Sequence, residues 1–479
     1  MSIDQNINAA FEPFANKFAE VIFYSVALPG GHDVKLVLIW LVAAALFFTF
    51  YLGFINLRFF KHAVDLVRGK ADGQSGDGQI SRFQALATSL SGTIGLGNIA
   101  GVAVAISVGG PGAAFWMAFM GFFGMSTKFA EVALGVKYRQ HLNPEDPASL
   151  SGGPMYYIKA AFDKFNLPFV GSVLGGSFAL FTALGAIGAA SLFQTNQVFQ
   201  QALNITGGPE ASFLAGKGWV VGLLMLFLVG LVIIGGIRSI AAVTSKVVPF
   251  MGLLYIVAGM TVIAMHAADI PAAFVTIFEA ALTMKAGFGA LLGGFLMGVQ
   301  RASFSNEAGF GSAAIAHAEV KTNEPVSQGF VGMLGPFIDT IVICMVTALL
   351  IVVTGVYVEG NGIEGVELTS RAFAAGLPWF PYVLFVVVFL FAYSTLISWS
   401  YYGVKAFTYL FGENKINEVI YKVIFCFFIV IGASAQLDSV ILFTDASVFS
   451  MAIPNIIGLY LLAPELRRDV KAYIQKIRA

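Results

Sequence analysis

The sequence predicts an all-α transmembrane protein of eleven helices, two of them discontinuous. Three observations predict it. The 479 residues are 58% hydrophobic and only 11% charged, with a mean hydropathy of +0.82, a balance far from that of a water-soluble domain. Apolar runs recur along the whole chain, most of them near the roughly 20 residues a helix needs to cross about 30 Å of hydrocarbon. Two of these runs are interrupted at mid-depth by glycines and polar side chains, where apolar residues are expected.

Taken in order, residues 1–33 are polar and carry Asp4, Glu12 and Glu20. They lack the basic start and compact apolar run of a signal peptide and read as a segment outside the membrane. The membrane domain covers 34–463, with spans near 34–57, 84–107, 112–135, 170–196, 218–237, 247–266, 288–304, 329–354, 380–403, 419–434 and 439–463. Residues 271–282 begin with Pro271, are too short to cross, and read as an interfacial helix leading into the seventh span. Residues 464–479 form a basic tail. Of the 27 Lys and Arg, Lys128 and Arg301 fall within spans; twenty of the rest fall on the side of the C-terminus and five, Lys17, Lys35, Lys217, Lys285 and Arg371, on the other. This bias places the C-terminus in the cytoplasm and the N-terminus outside an inner or plasma membrane.

Net charge is zero, and no basic stripe lies outside the connections, which excludes nucleic acid as a partner. Cys344 and Cys426 are the only cysteines and both sit in apolar stretches, so they read as small buried hydrophobes and not as a disulfide framework. The histidines have no metal-ligand spacing, and there is no HExxH, Gly-x-Ser-x-Gly or paired-Asp motif of an intramembrane enzyme.

The second span contains Ser91-Gly92-Thr93-Ile94-Gly95-Leu96-Gly97-Asn98-Ile99-Ala100-Gly101, and the seventh ends in Ser303-Phe304-Ser305-Asn306-Glu307-Ala308-Gly309-Phe310-Gly311-Ser312. Small residues also serve tight helix packing, but matched breaks in spans two and seven point to a midplane site between inverted repeats. One N-terminal helix followed by two sets of five, about 84–266 and 288–463, accounts for all eleven spans. Unwinding frees N–H and C=O groups that hydrocarbon does not tolerate unless a ligand, ion or water satisfies them. The positive N-terminal end of a half-helix suits a carboxylate, and the carbonyls of the preceding half-helix suit a sodium ion. Two unlike breaks in one polypeptide also argue against a channel, whose filter normally comes from symmetric subunits.

The segments GTIGLGNIAGVA, GGPGAAFWMAFMGFFGMSTKFAE, GGPMYYI, SFSNEAGFGSA and WSYYG resemble the alanine-or-glycine:cation symporter family, over about residues 34 to 465. That resemblance implies the LeuT-like five-plus-five inverted repeat and coupling to sodium. The expected function is then sodium-coupled symport of a small neutral amino acid, alanine or glycine, by alternating access, with no cofactor beyond the coupling ion. Coupling to protons or carriage of another neutral amino acid is the alternative. The chain departs from the family at Ala118, where a second Trp is common, and at Ser398 and Val404, where a glycine and an acid commonly flank WSYYG.

By the same resemblance the N–H groups around Gly95, Leu96 and Gly97 hold the substrate carboxylate with help from Thr93, and the carbonyls of Ser91 and Ile94 face sodium. In the ninth span, Ser394 and Thr395 place hydroxyls deep in an apolar helix. There they either bond back to their own helix or join the ion, the role the resemblance favours. Asn306 offers a donor and an acceptor to a zwitterion or ties the unwound backbone together. Gln194 is a substrate contact by resemblance, and Phe304 and Trp399 read as walls of the pocket. Charges within spans are expensive and functional by default. Lys128 and Glu131, three residues apart on one helix, read as a structural or gating pair; Arg301, Glu307 and Asp339 read as a salt-bridged gate or anchor, and Asp445 carries no assignment.

Overall fold

The structure, a computed structural model, describes residues 3–28, 32–70, 76–143, 145, 149–283, 287–359 and 365–478; Lys285 lies outside the described residues. Helices dominate, and each of the eleven expected spans falls on helix. In chain order we label them α1 (Ile3–Ile22), α2 (Leu36–Tyr51), α3 (Arg82–Thr93), α4 (Gly97–Gly109), α5 (Ala113–Lys137), α6 (Pro168–Ile205), α7 (Gly218–Ile233) and α8 (Gly236–Met265). There follow α9 (Ile270–Leu282), α10 (Phe288–Asn306), α11 (Ser312–His317), α12 (Pro325–Thr354), α13 (Phe380–Phe411), α14 (Lys415–Ser434) and α15 (Leu437–Arg478).

Length and apolarity alone qualify six of these as crossings, or seven when α3 and α4, bent by 53° at their break, count as one. Helices α2 and α7 are apolar but only 16 residues long. The structure thus shows six or seven membrane-capable helices by length and apolarity, against the eleven crossings expected from the sequence. The lead-in helix expected at 271–282 is α9.

The N-terminal segment is more ordered than its polarity implies. Ala15, Phe18, Ala19 and Ile22 recur at helical spacing, and α1 lays this stripe on α15: Ala15 and Ala19 are buried and the Phe18 ring lies 5.8 Å from Phe443. An antiparallel pair of strands, Ser25–Leu28 and His32–Lys35, then turns the chain into α2. Helix α3 starts from a capping box in which Ser81 and Gln84 satisfy each other's backbone N–H groups, the arrangement that stops a helix start from fraying.

Helices α3, α10 and α13 run through the interior, flanked by α5, α6, α8 and α15. Three turns widen to π geometry, at Gly97–Gly101, Ala186–Leu192 and Phe337–Cys344. Such turns leave carbonyls and side chains out of helical register and recur at functional sites. All three border the region described next.

Close backbone approach holds the bundle together. A Cβ on Gly298 of α10 would come within 2.6 Å of the Ala113 carbonyl oxygen and of Trp116 Cβ on α5, whereas one on Gly293 of the same helix would meet nothing within 4 Å. Gly298→Val is therefore expected to destabilise the protein by about 1–3 kcal/mol through overpacking. Gly293→Ala should be neutral or stabilising by a fraction of a kcal/mol through helix propensity. Thermal unfolding of the two variants in the same detergent checks the contrast.

Candidate functional site

The first break lies between α3 and α4. Helical bonding stops at Thr93, and the Gly95 N–H turns to the Thr93 carbonyl (2.9 Å) and to Asn98 Oδ1 (3.0 Å). The Leu96 N–H donates to Gln194 Oε1 at 2.9 Å, and Gln194 Nε2 donates to the Ala189 carbonyl at 3.0 Å. Among the described residues the Gly97 N–H has no hydrogen-bond partner. It stands at the N-terminal, positive end of α4. Of the three N–H groups expected to hold a carboxylate, two are thus taken by the protein and one is open.

The second break lies between α10 and α11. Glu307 caps α10 in the left-handed region (φ 55°), followed by Gly309 at 98° and Gly311 at 81°. A left-handed glutamate costs about 1–3 kcal/mol and persists only where its surroundings demand it. Here they do. Glu131 Oε1 accepts from the Gly309 and Gly311 N–H groups (2.8 and 3.0 Å) and from Asn455 Nδ2 (2.8 Å), while Lys128 Nζ donates to the Glu307 carbonyl at 3.0 Å. Lys128 and Glu131 lie 3.8 Å apart, both buried. The charged pair on α5 supplies the second break with the partners its backbone lacks.

The two breaks abut, since a Cβ on Gly97 would sit 3.2 Å from the Phe304 ring and 3.5 Å from Ser305 Cα. Between them is a small cavity lined by buried residues. Thr93, Gly97, Gln194, Phe304, Thr395 and Trp399, all expected site residues, line it together. Gly92, Ala189, Glu307 and Val448 complete the wall. The space open to the centre of a water-sized sphere is about 10 Å³, room for about one water, so the walls must part to admit an amino acid. The indole Nε1 of Trp399 spans both breaks, 3.2 Å from the Gly92 carbonyl oxygen and 3.1 Å from Glu307 Oε1.

The remaining expected residues lie beside the cavity. Gly95 backs its wall: a Cβ there would come 2.6 Å from Thr395 Oγ1 and 3.0 Å from Gln194 Oε1. Leu96 reaches it only through Gln194, and the Ile94 side chain lines an apolar groove on another face of the break, against Leu90 and Gly252. Asn306 is turned away, donating through Nδ2 to Thr340 Oγ1 (3.0 Å) and accepting from the Ala308 N–H (2.9 Å). That is the backbone-tying arrangement: α10 ends at Asn306, and the Ala308 N–H beyond the helix end takes the Asn306 side-chain oxygen as its acceptor.

Ser91, Ser394 and Thr395 meet where α3 crosses α13. Ser91 Oγ donates to the Ser394 carbonyl at 2.6 Å, and Thr395 Oγ1 lies 3.0 Å from both the Ser91 and the Phe391 carbonyl oxygens. Ser394 Oγ also donates to the Phe391 carbonyl at 3.0 Å, which leaves the Thr395 proton for the Ser91 carbonyl. The corner thus gathers three hydroxyls and three carbonyls, neutral oxygens of the kind that suit a hard cation. Among the described residues no group of three or more His, Cys, Asp and Glu could hold a metal ion.

The expected salt-bridged set separates. Arg301 pairs with Asp445, both buried, and Gln300 Nε2 also donates to Asp445 Oδ2 (2.7 Å). Asp339 has only neutral donors, Asn98 Nδ2 (2.6 Å), Ser305 Oγ (2.7 Å) and Thr340 Oγ1 (2.8 Å), and so ties the first break to the second. Glu307 likewise takes only neutral donors, Trp399 Nε1 and Ser312 Oγ. Charges in a span do attract partners, but the partner need not be a cation when hydroxyls, an amide and an indole lie closer. The Asp339 hub and the place of Glu307 on the cavity wall are what the sequence reading missed; a carboxylate inside a glycine-rich break was the available signal.

A bundle of membrane-length helices with a small polar cavity between two interrupted helices is the architecture of a membrane transporter. Comparison with known proteins narrows this. The sequence profile described as the sodium:alanine symporter family matches residues 26–479. The sodium/alanine symporter AgcS of Methanococcus maripaludis is 41% identical over 439 residues, spanning 91% of this chain and 93% of its own. The amino-acid carrier protein AlsT of Bacillus subtilis is 32% identical (94% and 92% covered), and the probable sodium/glutamine symporter GlnT of the same organism 31% identical (93% and 89%). The crystal structure of MhsT in complex with L-phenylalanine superposes with a TM-score of 0.52 at 18% identity, over 81% of this chain and 96% of that one, which shows the LeuT-type fold. The chain belongs to the sodium:alanine symporter family. It is a multi-pass membrane protein and a cation-coupled amino-acid symporter, not an enzyme.

Because the space behind Gly95 is filled by Thr395 and Gln194, both of which line the cavity, Gly95→Ala is expected to displace them together. Uptake should fall by about 100-fold or more, in keeping with the cost of small misplacements at such sites, while membrane insertion stays normal. Uptake in proteoliposomes, normalised to inserted protein, checks it.

Proposed function

We propose that the protein couples inward movement of sodium to uptake of a small neutral amino acid, alanine or glycine, by alternating access, with the N-terminus outside and the C-terminus in the cytoplasm. The observation that carries this reading is the position of Thr395. Its hydroxyl lies 3.0 Å from the Ser91 carbonyl in the oxygen-rich corner, and the same residue lines the cavity. An ion at Ser91, Ser394 and Thr395 would be held by their neutral oxygens and fix the wall against which the substrate packs. Filling one site thereby strengthens the other, and by linkage the reverse holds. The open Gly97 N–H at the positive end of α4 receives the carboxylate, and Thr93, Gln194, Phe304 and Trp399 bound the rest of the substrate. No cofactor besides the coupling ion enters.

Charged clusters flank the cavity along the bundle. On the side assigned to the outside, the Arg301–Asp445 pair lies one helical turn from Phe304 and Val448. On the other side Glu319 accepts from Tyr401 and lies 3.3 Å from Lys405, beyond Trp399 on α13. Opening either cluster while the other holds would expose the cavity to one side at a time. The Phe304 and Trp399 rings on the cavity wall support alanine or glycine over the glutamine named for one relative, since added bulk meets them.

Uptake of labelled alanine into proteoliposomes, with sodium replaced by choline across a pH series, tests the reading; sodium-independent, proton-driven uptake would replace it. Thr395→Ala should raise the sodium concentration for half-maximal uptake about tenfold, while alanine affinity at saturating sodium changes little, because linkage passes on the loss only while the ion site is unfilled. An unchanged sodium dependence would remove α13 from the ion site. For size, leucine should compete poorly with alanine in the unmodified protein and measurably in Phe304→Ala, whereas glycine and alanine should differ little, a methyl group being worth about 1–3 kcal/mol. Strong competition by leucine without the substitution would show a larger pocket.

A further inference from the structure

Among the described residues that line the cavity, Glu307 is the single charged one. Its carboxylate is buried and accepts from two neutral donors, Trp399 Nε1 at 3.1 Å and Ser312 Oγ. An ionised carboxylate has about four lone-pair sites, and burying it without a cation is costly. The nearest candidate cation in the protein, Lys128, is engaged otherwise: its ammonium donates to the Glu307 carbonyl at 3.0 Å and lies 3.8 Å from Glu131, which itself caps the second break. Among the described residues no cationic side chain pairs with the Glu307 carboxylate.

Backbone and side chain agree about what belongs there. Glu307 caps the C-terminal end of α10, where the helix dipole is negative and favours a cation. Gly97, on the wall contributed by the first break, stands at the positive N-terminal end of α4 with its N–H open. The cavity therefore has one wall suited to an anion and one suited to a cation.

We propose that Glu307 is the counter-ion of the substrate's α-ammonium group, with Trp399 and Ser312 as positioning residues that hold its carboxylate on the cavity. This rests on reading the cavity as an amino-acid site, and it deepens that reading: the protein recognises a zwitterion by charge at both ends. Compounds with the same carboxylate and methyl but no ammonium, such as lactate and propionate, are then excluded for lack of charge and not for size. An empty site leaves the carboxylate without its cation, so substrate binding repairs an electrostatic defect as well as filling space.

The test measures binding of labelled alanine to the purified full-length protein in saturating sodium, with competition by lactate and N-acetylalanine. In the unmodified protein neither competitor should displace alanine at a thousandfold excess. Glu307→Gln, which keeps shape and removes charge, should weaken alanine binding about 100-fold or more, the usual loss when one partner of a buried charge pair is removed. It should also collapse the preference for alanine over lactate, keep the thermal stabilisation produced by sodium alone, and Glu307→Asp should recover part of the loss. Alanine binding within threefold of the unmodified protein in Glu307→Gln would overturn the proposal. So would loss of the sodium-only stabilisation with alanine affinity retained, which would assign Glu307 to the ion. Should Glu307→Gln fail to fold, competition in the unmodified protein decides, and displacement of alanine by lactate at comparable concentration overturns the proposal. Absence of any alanine or glycine binding to the unmodified protein, with or without sodium, would instead overturn the functional reading beneath it.

Discussion

Backbone that leaves its helix inside hydrocarbon must find hydrogen-bond partners within the protein, and two such stretches meet at the centre of this chain. Each is served by side chains from elsewhere. Gln194 takes the Leu96 N–H, and Glu131 takes those of Gly309 and Gly311. Trp399 and Asp339 then bind the two stretches to each other, the indole between the Gly92 carbonyl and Glu307, and the carboxylate between Asn98 and Ser305. Because these bonds cross between helices, a shift in one break has to be answered by the other.

What the protein leaves unsatisfied is as informative as what it satisfies. Gly97, whose N–H is open, and Glu307, whose carboxylate has no cation, line one small cavity, and the corner at Ser91, Ser394 and Thr395 gathers hydroxyl and carbonyl oxygens. Fully paired groups of this kind would make a rigid core. Groups left short of partners at one place make a site whose closed form is completed by what it carries. The π turns at 97–101, 186–192 and 337–344 serve the same end, since each puts a residue of this region, Gly97, Ala189 or Asp339, out of helical register.

The flanking charge pairs show the same economy. Arg301 and Asp445 neutralise each other where helices α10 and α15 close over the cavity, and such a buried pair costs desolvation that good geometry only partly repays.

The sequence by itself determined where helix forms and where it fails. Apolar length placed the spans, and the glycines and polar residues at 91–101 and 303–312 placed both breaks, because helix propensity and transfer into hydrocarbon are local properties that composition writes directly. Six of the expected site residues, Thr93, Gly97, Gln194, Phe304, Thr395 and Trp399, share one cavity for the same reason: they lie at or beside those breaks or on a span with polar groups at depth. The helix at Ile3–Ile22 was not read from the sequence, because net polarity concealed the helical spacing of Ala15, Phe18, Ala19 and Ile22. Only the tertiary structure decided who satisfies whom. It turned Asn306 from the cavity to Thr340, gave Arg301 a partner 144 residues away, and set Glu307 on the cavity wall instead of in a salt bridge. The physical reason is that a freed backbone group or a buried charge announces a need for a partner, while the identity of that partner depends on which helices come to lie side by side.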